Sequence, residues 1–152
     1  MSENNNLILV TWDEKYATNI EQLDNQHKEL VELTNKLFQA CLAGEETVNT
    51  MFKDAMHHMV EYVRFHFSAE QKLLERINFP DLPEHKKQHD DLVRTIIDTV
   101  KDFEKGKKFV PNTFVRTLRD WIFGHIAVYD MKYAAFVADQ KKKGLLTDHQ
   151  LG

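Results

Sequence analysis

Seven side chains carry the chemistry this sequence can do: His27, His66, Glu70, His85, His89, His125 and Asp130. Six fall into spaced pairs, HFSAE (66–70), HKKQH (85–89) and HIAVYD (125–130), while His27 stands alone in LDNQHKEL. Residues four apart on an α-helix differ by about 40° in direction and about 6 Å in height. His66/Glu70 and His85/His89 can therefore each aim at one point. A single such pair is commonplace on a helix surface. Two inward pairs, a lone inward histidine and a third histidine–acid pair on separate segments read instead as a ligand set. The set has imidazoles and carboxylates but no thiolates, which argues against a cysteine-type structural zinc site and suits iron, manganese, cobalt or zinc.

It also holds more ligands than one ion needs, which points to two metals. If both ions are octahedral, the five histidines fill five positions, two bridging carboxylates four, and one bridging oxygen two. One of the twelve positions stays open, on whichever ion has two histidines rather than three. Asp130 fits least well. Five residues after His125, it points about 140° away on an ideal helix. Either a local π-type bulge turns it inward, or it reaches the site from the side.

These residues need elements to hold them. The apolar rows have helical spacing. The first helix is predicted from a cap at Asn19 to about Ala43, ended by Gly44, with Ile20, Leu23, His27, Leu30, Thr34, Leu37 and Cys41 inward. The second runs from about Glu46 to Ile77, with Phe52, Met56, Met59, Val63, His66, Glu70 and Leu73 on its stripe. A carboxylate on an apolar stripe is costly without a partner, so Glu70 demands one. NFPDLP (78–83) makes a turn, and Pro83 suits the first turn of a third helix reaching about Lys105. The fourth runs from about Pro111 to Lys143, before Gly144. Residues 1–6 are polar and read as disordered. The stretch 7–20 reads as an ordered arm with Trp12 and Tyr16 as packing anchors, and the tail GLLTDHQLG has no readable order. Of the remaining histidines, His57 and His149 read as solvated, and His58, two turns from His66, as structural. Cys41 reads as a small buried apolar residue. The fold class is all-α, an antiparallel up-and-down four-helix bundle with an N-terminal arm.

Bulk composition agrees. The chain has 152 residues with only 5 glycines and 3 prolines, as long helices with short joins require, and reads as one domain. A net charge of -4 argues against nucleic acid as a partner. No apolar run is long enough to span a membrane, and MSENNN lacks a signal pattern. A single cysteine fits a reducing compartment, so the expected location is the cytoplasm.

The order H…HxxxE…HxxxH…HxxxxD resembles the hemerythrin family at all seven positions, and the odd HxxxxD step belongs to that pattern. The similarity covers about residues 12–140, including the LDNQH approach, the proline-containing turn before HxxxH and the WIFGHI context of the last helix. It implies a bacterial-type single-domain hemerythrin, spanning 1–152 with tails at 1–6 and 144–152. Its centre would be two iron ions bridged by an oxygen species and two carboxylates. His85, His89 and His125 would hold the coordinatively full iron and His27 and His66 the iron with the open place, with Glu70 and Asp130 bridging. The implied function is reversible O2 binding for storage, delivery or sensing, with no enzymatic turnover. The alternative is a di-iron enzyme acting on peroxide, nitric oxide or ferrous iron. Carboxylate-rich Glu-x-x-His sites suit such enzymes, whereas this histidine-rich set gives less push toward O–O cleavage. Ile122, one turn before His125, is the candidate lining of the O2 position, with Leu30 and Trp121 nearby.

Overall fold

The computed structural model describes residues 8–42, 45–106 and 111–152. Residues 1–6 and the helix stop at Gly44 lie outside them. Helix α1 spans Glu21–Cys41, α2 Glu45–Arg76 and α3 Leu82–Glu104. The fourth rod of the bundle is α4 (Pro111–His125), one π-helical stretch (Ile126–Asp130) and α5 (Met131–Lys142). Helix α2 packs along both α1 and α3, and α4 closes against α1. The expected all-α four-helix bundle is the fold, with each predicted helix within a few residues of its expected span.

Local chemistry explains most boundaries. Pro83 occupies the first turn of α3, where a missing N–H costs nothing, and Gly106 and Gly144 follow their helices at φ 73° and 74°. The start of α1 differs from expectation. Asn19 does not cap it but turns the chain at φ 64°, a conformation asparagine tolerates better than most residues. The entry is held instead by Asp24, whose carboxylate accepts from the Thr18 N–H (2.8 Å), the Thr18 hydroxyl (2.7 Å) and the Asn19 N–H (3.1 Å). That acid also favours the positive end of the helix.

Over its described residues, 8–20, the arm is ordered. The Asn35 side chain clasps it, accepting from the Leu9 and Val10 N–H groups and donating to the Val10 carbonyl. Trp12 and Tyr16 anchor it as expected, their rings 5.8 Å apart, with Tyr16 against Phe123 at 5.3 Å. The tail is ordered too. A capping box between Thr147 and Gln150 folds it into a 3-10 turn that buries Leu146 and Leu151.

The apolar interior forms two clusters. On α1 the order is Leu23 in one, then His27, then Leu30 in the other; on α2 it is Val63, then His66 and Glu70, then Leu73. On the fourth rod Ile122 precedes His125 and Asp130, and Tyr133 follows. Polar residues therefore fill one layer across the bundle, sandwiched between two apolar ones.

Candidate metal centre

All seven singled-out residues meet in that layer, and all are buried, from fully enclosed His27 and Glu70 to His125 at 6 % exposure. The π-helical stretch at Ile126–Asp130 is what brings in Asp130. A wider turn takes five residues only a little past one full revolution, so Asp130 returns toward the face of His125. Of the two routes left open by the sequence, the bulge is the one this fold uses.

The carboxylate oxygens divide the imidazoles. Glu70 Oε2 lies 3.3 Å from His27 Nε2 and 3.4 Å from His66 Nε2, while Oε1 lies 2.7 Å from His85 Nε2 and 3.1 Å from His89 Nε2. Asp130 Oδ2 is 3.2 Å from His27 Nε2; Oδ1 is 3.2 Å from His85 Nε2 and 3.1 Å from His125 Nε2. Two ligand atoms bound at right angles, each about 2.1 Å from a shared ion, are about 3 Å apart. The contacts here cluster near that spacing. Many of them fail as hydrogen bonds: both Asp130 oxygens, His89 Nε2 and both His125 nitrogens have no hydrogen-bond partner. Buried polar atoms left so cost about 1–3 kcal/mol each, more when charged, so this many in one layer calls for a cation. Glu70, His85, His89, His125 and Asp130 make one possible ion site, and His27, His66 and Glu70 a second. The donor set fits a two-metal centre.

Charge in the metal-free layer is settled among the same groups. Burial opposes a charge on His27, but Asp130 and Glu70 outweigh it and push the imidazole up to about 10. The same contest takes His85 up to about 9. At His89 burial prevails, helped by His85 and His125, and the value is lowered. Burial also opposes ionisation of Glu70, yet His27, His66 and His85 hold it well below the usual carboxylate range. Asp130 is lowered against both burial and Glu70 by the facing imidazoles of His125, His27 and His85.

Several supporting residues escaped sequence reasoning. Gln26 Oε1 sits 2.7 Å from His66 Nδ1, so it accepts that N–H and leaves Nε2 free for a metal. Gln71 pairs with His89 Nδ1 at 2.9 Å; the same tautomer requires its amide oxygen to face the ring. The Tyr133 hydroxyl donates to Glu70 Oε2 at 2.9 Å, and burial together with the charges of Asp130 and Glu70 raises its own ionisation well above normal. Phe67 lies flat on His89, and Trp121 and Tyr129 stack with His125. Gln26 and Gln71 each neighbour a ligand candidate in the chain and so fall off the inward stripe, where periodicity gives no signal. Replacing Gln26 with leucine is expected to weaken metal binding at the His27/His66 site by about 10–100-fold, read by competitive chelator titration. Unchanged affinity would remove Gln26 from the supporting set.

Ile122 and Leu30 are buried, and Trp121 is partly buried against His125. His57 is exposed but not merely solvated, since it pairs with Glu104 at 3.2 Å. His58, expected to be structural, is exposed, and so is His149. Cys41 is only partly buried, and that burial pushes its thiol up to about 11.

Comparison with known proteins agrees with this geometry. The Hemerythrin HHE cation binding domain matches residues 18–137. Bacteriohemerythrin of Methylococcus capsulatus is 31% identical over 128 residues, covering 84% of this chain and 95% of that protein. The hemerythrin-like protein of Naegleria gruberi is 30% identical over 122 residues, covering 80% and 88%. Among solved structures, wild-type hemerythrin superimposes with a TM-score of 0.78 at 30% identity, covering 84% of this chain and 96% of that one. With that match spanning the whole polar layer and the π turn that completes it, this chain belongs to the hemerythrin family.

Proposed function

We propose that this chain binds O2 reversibly at a pair of iron ions, acting as a single-domain oxygen store, deliverer or sensor in the cytoplasm. The observation that carries the reading is the division of the carboxylate oxygens. Glu70 turns one oxygen to His27 and His66 and the other to His85 and His89, and Asp130 turns one to His27 and the other to His85 and His125. His85, His89 and His125 would hold one ion, His27 and His66 the other, with both carboxylates shared. The open place would fall beside His27 and His66, which supply two imidazoles where the other site has three. When bound, a ferrous pair supplies the two electrons that reversible O2 uptake requires.

The residues of the chain do the rest. Glu70 and Asp130 would neutralise part of the charge of bound metal, Gln26 and Gln71 fix imidazole tautomers, and Tyr133 holds Glu70 in place. Leu30 and Ile122 belong to the apolar cluster on one side of the layer and keep water from the open place. Trp121 works through His125, on which it stacks at 4.9 Å and 7°. Among the described residues no helix is long and apolar enough to cross a membrane.

The test is an anaerobic titration of iron-loaded protein with O2, followed by removal of the gas. A charge-transfer band that appears and then vanishes supports a carrier. Irreversible bleaching with product formation favours an enzyme acting on peroxide, nitric oxide or ferrous iron. Metal analysis giving one ion per chain, or zinc alone, overturns both. Ile122→Asn in the same assay is expected to speed autoxidation by about tenfold, since a polar side chain invites water into a dry site. An unchanged rate would end the lining role.

A further inference from the structure

The bundle carries a groove of about 720 Å³ between α2 and α3. Its floor reaches the polar layer. Phe67 lies parallel to the His89 imidazole with ring centroids 3.6 Å apart and 2° between planes, and Gln71 meets His89 Nδ1 at 2.9 Å. Around that floor stand Arg64, Lys72, Lys86, Arg94 and Lys101, against the acids Glu75, Asp90 and Asp98. Five cations less three carboxylates leave the lining at +2 on a chain of net charge -4. Among the described residues, none of the five cations lies within ion-pair distance of a carboxylate. The cationic rim is thus free to meet an external anion.

We propose that this groove docks a small acidic electron-carrier protein, whose carboxylates meet the rim and whose redox cofactor rests over Phe67 and Gln71. Size favours a protein over a small anion. The rim runs for about 16 Å along α2, from Arg64 to Glu75, and about 22 Å along α3, from Lys86 to Lys101. The apolar strip of Phe67, Val93 and Ile97 between the charges suits a protein interface with a charged margin. Position matters as well. The groove opens beside His89, on the side of the three-imidazole site, so a docked carrier leaves the place beside His27 and His66 clear.

The inference rests on the oxygen-carrying reading: O2 release returns the electrons to the irons, but each autoxidation leaves a ferric pair that cannot bind O2 until it is reduced again. Each docked carrier gives up one electron and is oxidised by one, and one ferric ion becomes ferrous. Two such encounters restore the pair, and no bond forms between the proteins.

Flavodoxin, an acidic one-electron flavoprotein, serves as the probe. Its binding to the iron-loaded protein, and separately to the metal-free protein, is followed by fluorescence anisotropy at low and high salt. Reduction of the ferric pair by flavodoxin hydroquinone is followed by stopped flow. Binding is expected to weaken with salt, and Lys86→Glu/Arg94→Glu/Lys101→Glu is expected to lower both affinity and bimolecular rate by about tenfold or more. A control with equal charge change outside the groove, Lys36→Glu/Lys132→Glu/Lys142→Glu, is expected to move either by less than about threefold. Unchanged iron content and an unchanged ferric charge-transfer spectrum in the groove variant show that its iron pair is intact. Equal losses in groove and control variants, or no binding at low salt, overturn the proposal. If O2 uptake proves irreversible while the groove effect holds, the carrier function falls and the docking site stands. If O2 uptake is reversible and groove reversal changes nothing, the docking site alone falls.

Discussion

Glu70→Ala is expected to retain less than one iron per chain and to melt about 6–20 °C below the parent, both measured metal-free and after reloading. Glu70 is fully enclosed and lies within 3.4 Å of four imidazole nitrogens on three helices. Removing it strips an anionic ligand from both ion sites at once. In the metal-free protein it also leaves the protonated imidazoles of His27 and His85 with Asp130 as their one carboxylate. Breaking a buried charge pair from one side costs about 3–5 kcal/mol, because the surviving charge is stranded in a dry layer. Each kcal/mol moves the melting point of a domain this size by about 2–4 °C, which gives the stated range. Glu70→Gln separates the two effects. It keeps the shape and an oxygen for one ion, so it should keep more metal than the alanine variant while losing the charge. An alanine variant that holds two irons and melts like the parent would show that Glu70 is not the shared ligand.

The second large effect is with pH. At neutral pH the metal-free layer carries protons on His27, pushed up to about 10, and on His85, pushed up to about 9. A metal must expel both. Uptake of an ion pair at pH 7 should therefore release about two protons, and apparent affinity should rise about a hundredfold per pH unit until about pH 9, then about tenfold per unit to about 10. His89 is lowered and brings no proton to release.

The sign for stability runs the other way. The raised pKa values of His27 and His85 stabilise the metal-free fold fully below the unfolded value of 6.5, and that contribution is lost as pH rises through about 9 to 10. Glu70 and Asp130, both lowered, stabilise it above the ordinary carboxylate range and cease to do so on acidification. The gap in melting temperature between loaded and metal-free protein should therefore widen from pH 6 to pH 9. Melting curves of both forms, with proton release into weak buffer on anaerobic ferrous titration, check this. A pH-independent gap, with no protons released, would mean that the carboxylates do not hold these imidazoles charged.

Part of this site is legible in the sequence itself. Glu70 announced itself because a carboxylate on the stripe Phe52–Met56–Met59–Val63–His66 has no apolar excuse, and the structure surrounds it with imidazoles. His85 and His89 gained their weight from the other pairs, since one such spacing alone is commonplace on a helix surface. Asp130 was ambiguous for a physical reason: sequence spacing converts to direction only for a known helical pitch, and the pitch changes at Ile126. The entry to α1 was misassigned because a side chain four residues into the helix, Asp24, reaches back to do what a cap residue does. His58 differs from expectation because it shares a helical row with Tyr62 and His66, yet that row enters the core only toward its C-terminal end: His58 is exposed, Tyr62 half-buried and His66 buried.

By itself the sequence determined which residues face inward, that they number more than one ion needs, and that four helices must carry them. These follow from period and from the cost of burying charge, both properties of local spacing. The tertiary structure decided which oxygen of Glu70 and Asp130 faces which histidine, that Gln26, Gln71 and Tyr133 stand behind them, and that two apolar clusters close the layer from both sides. Such pairings join residues distant in the chain, and only the packing of one helix on another brings their side chains within 3 to 4 Å.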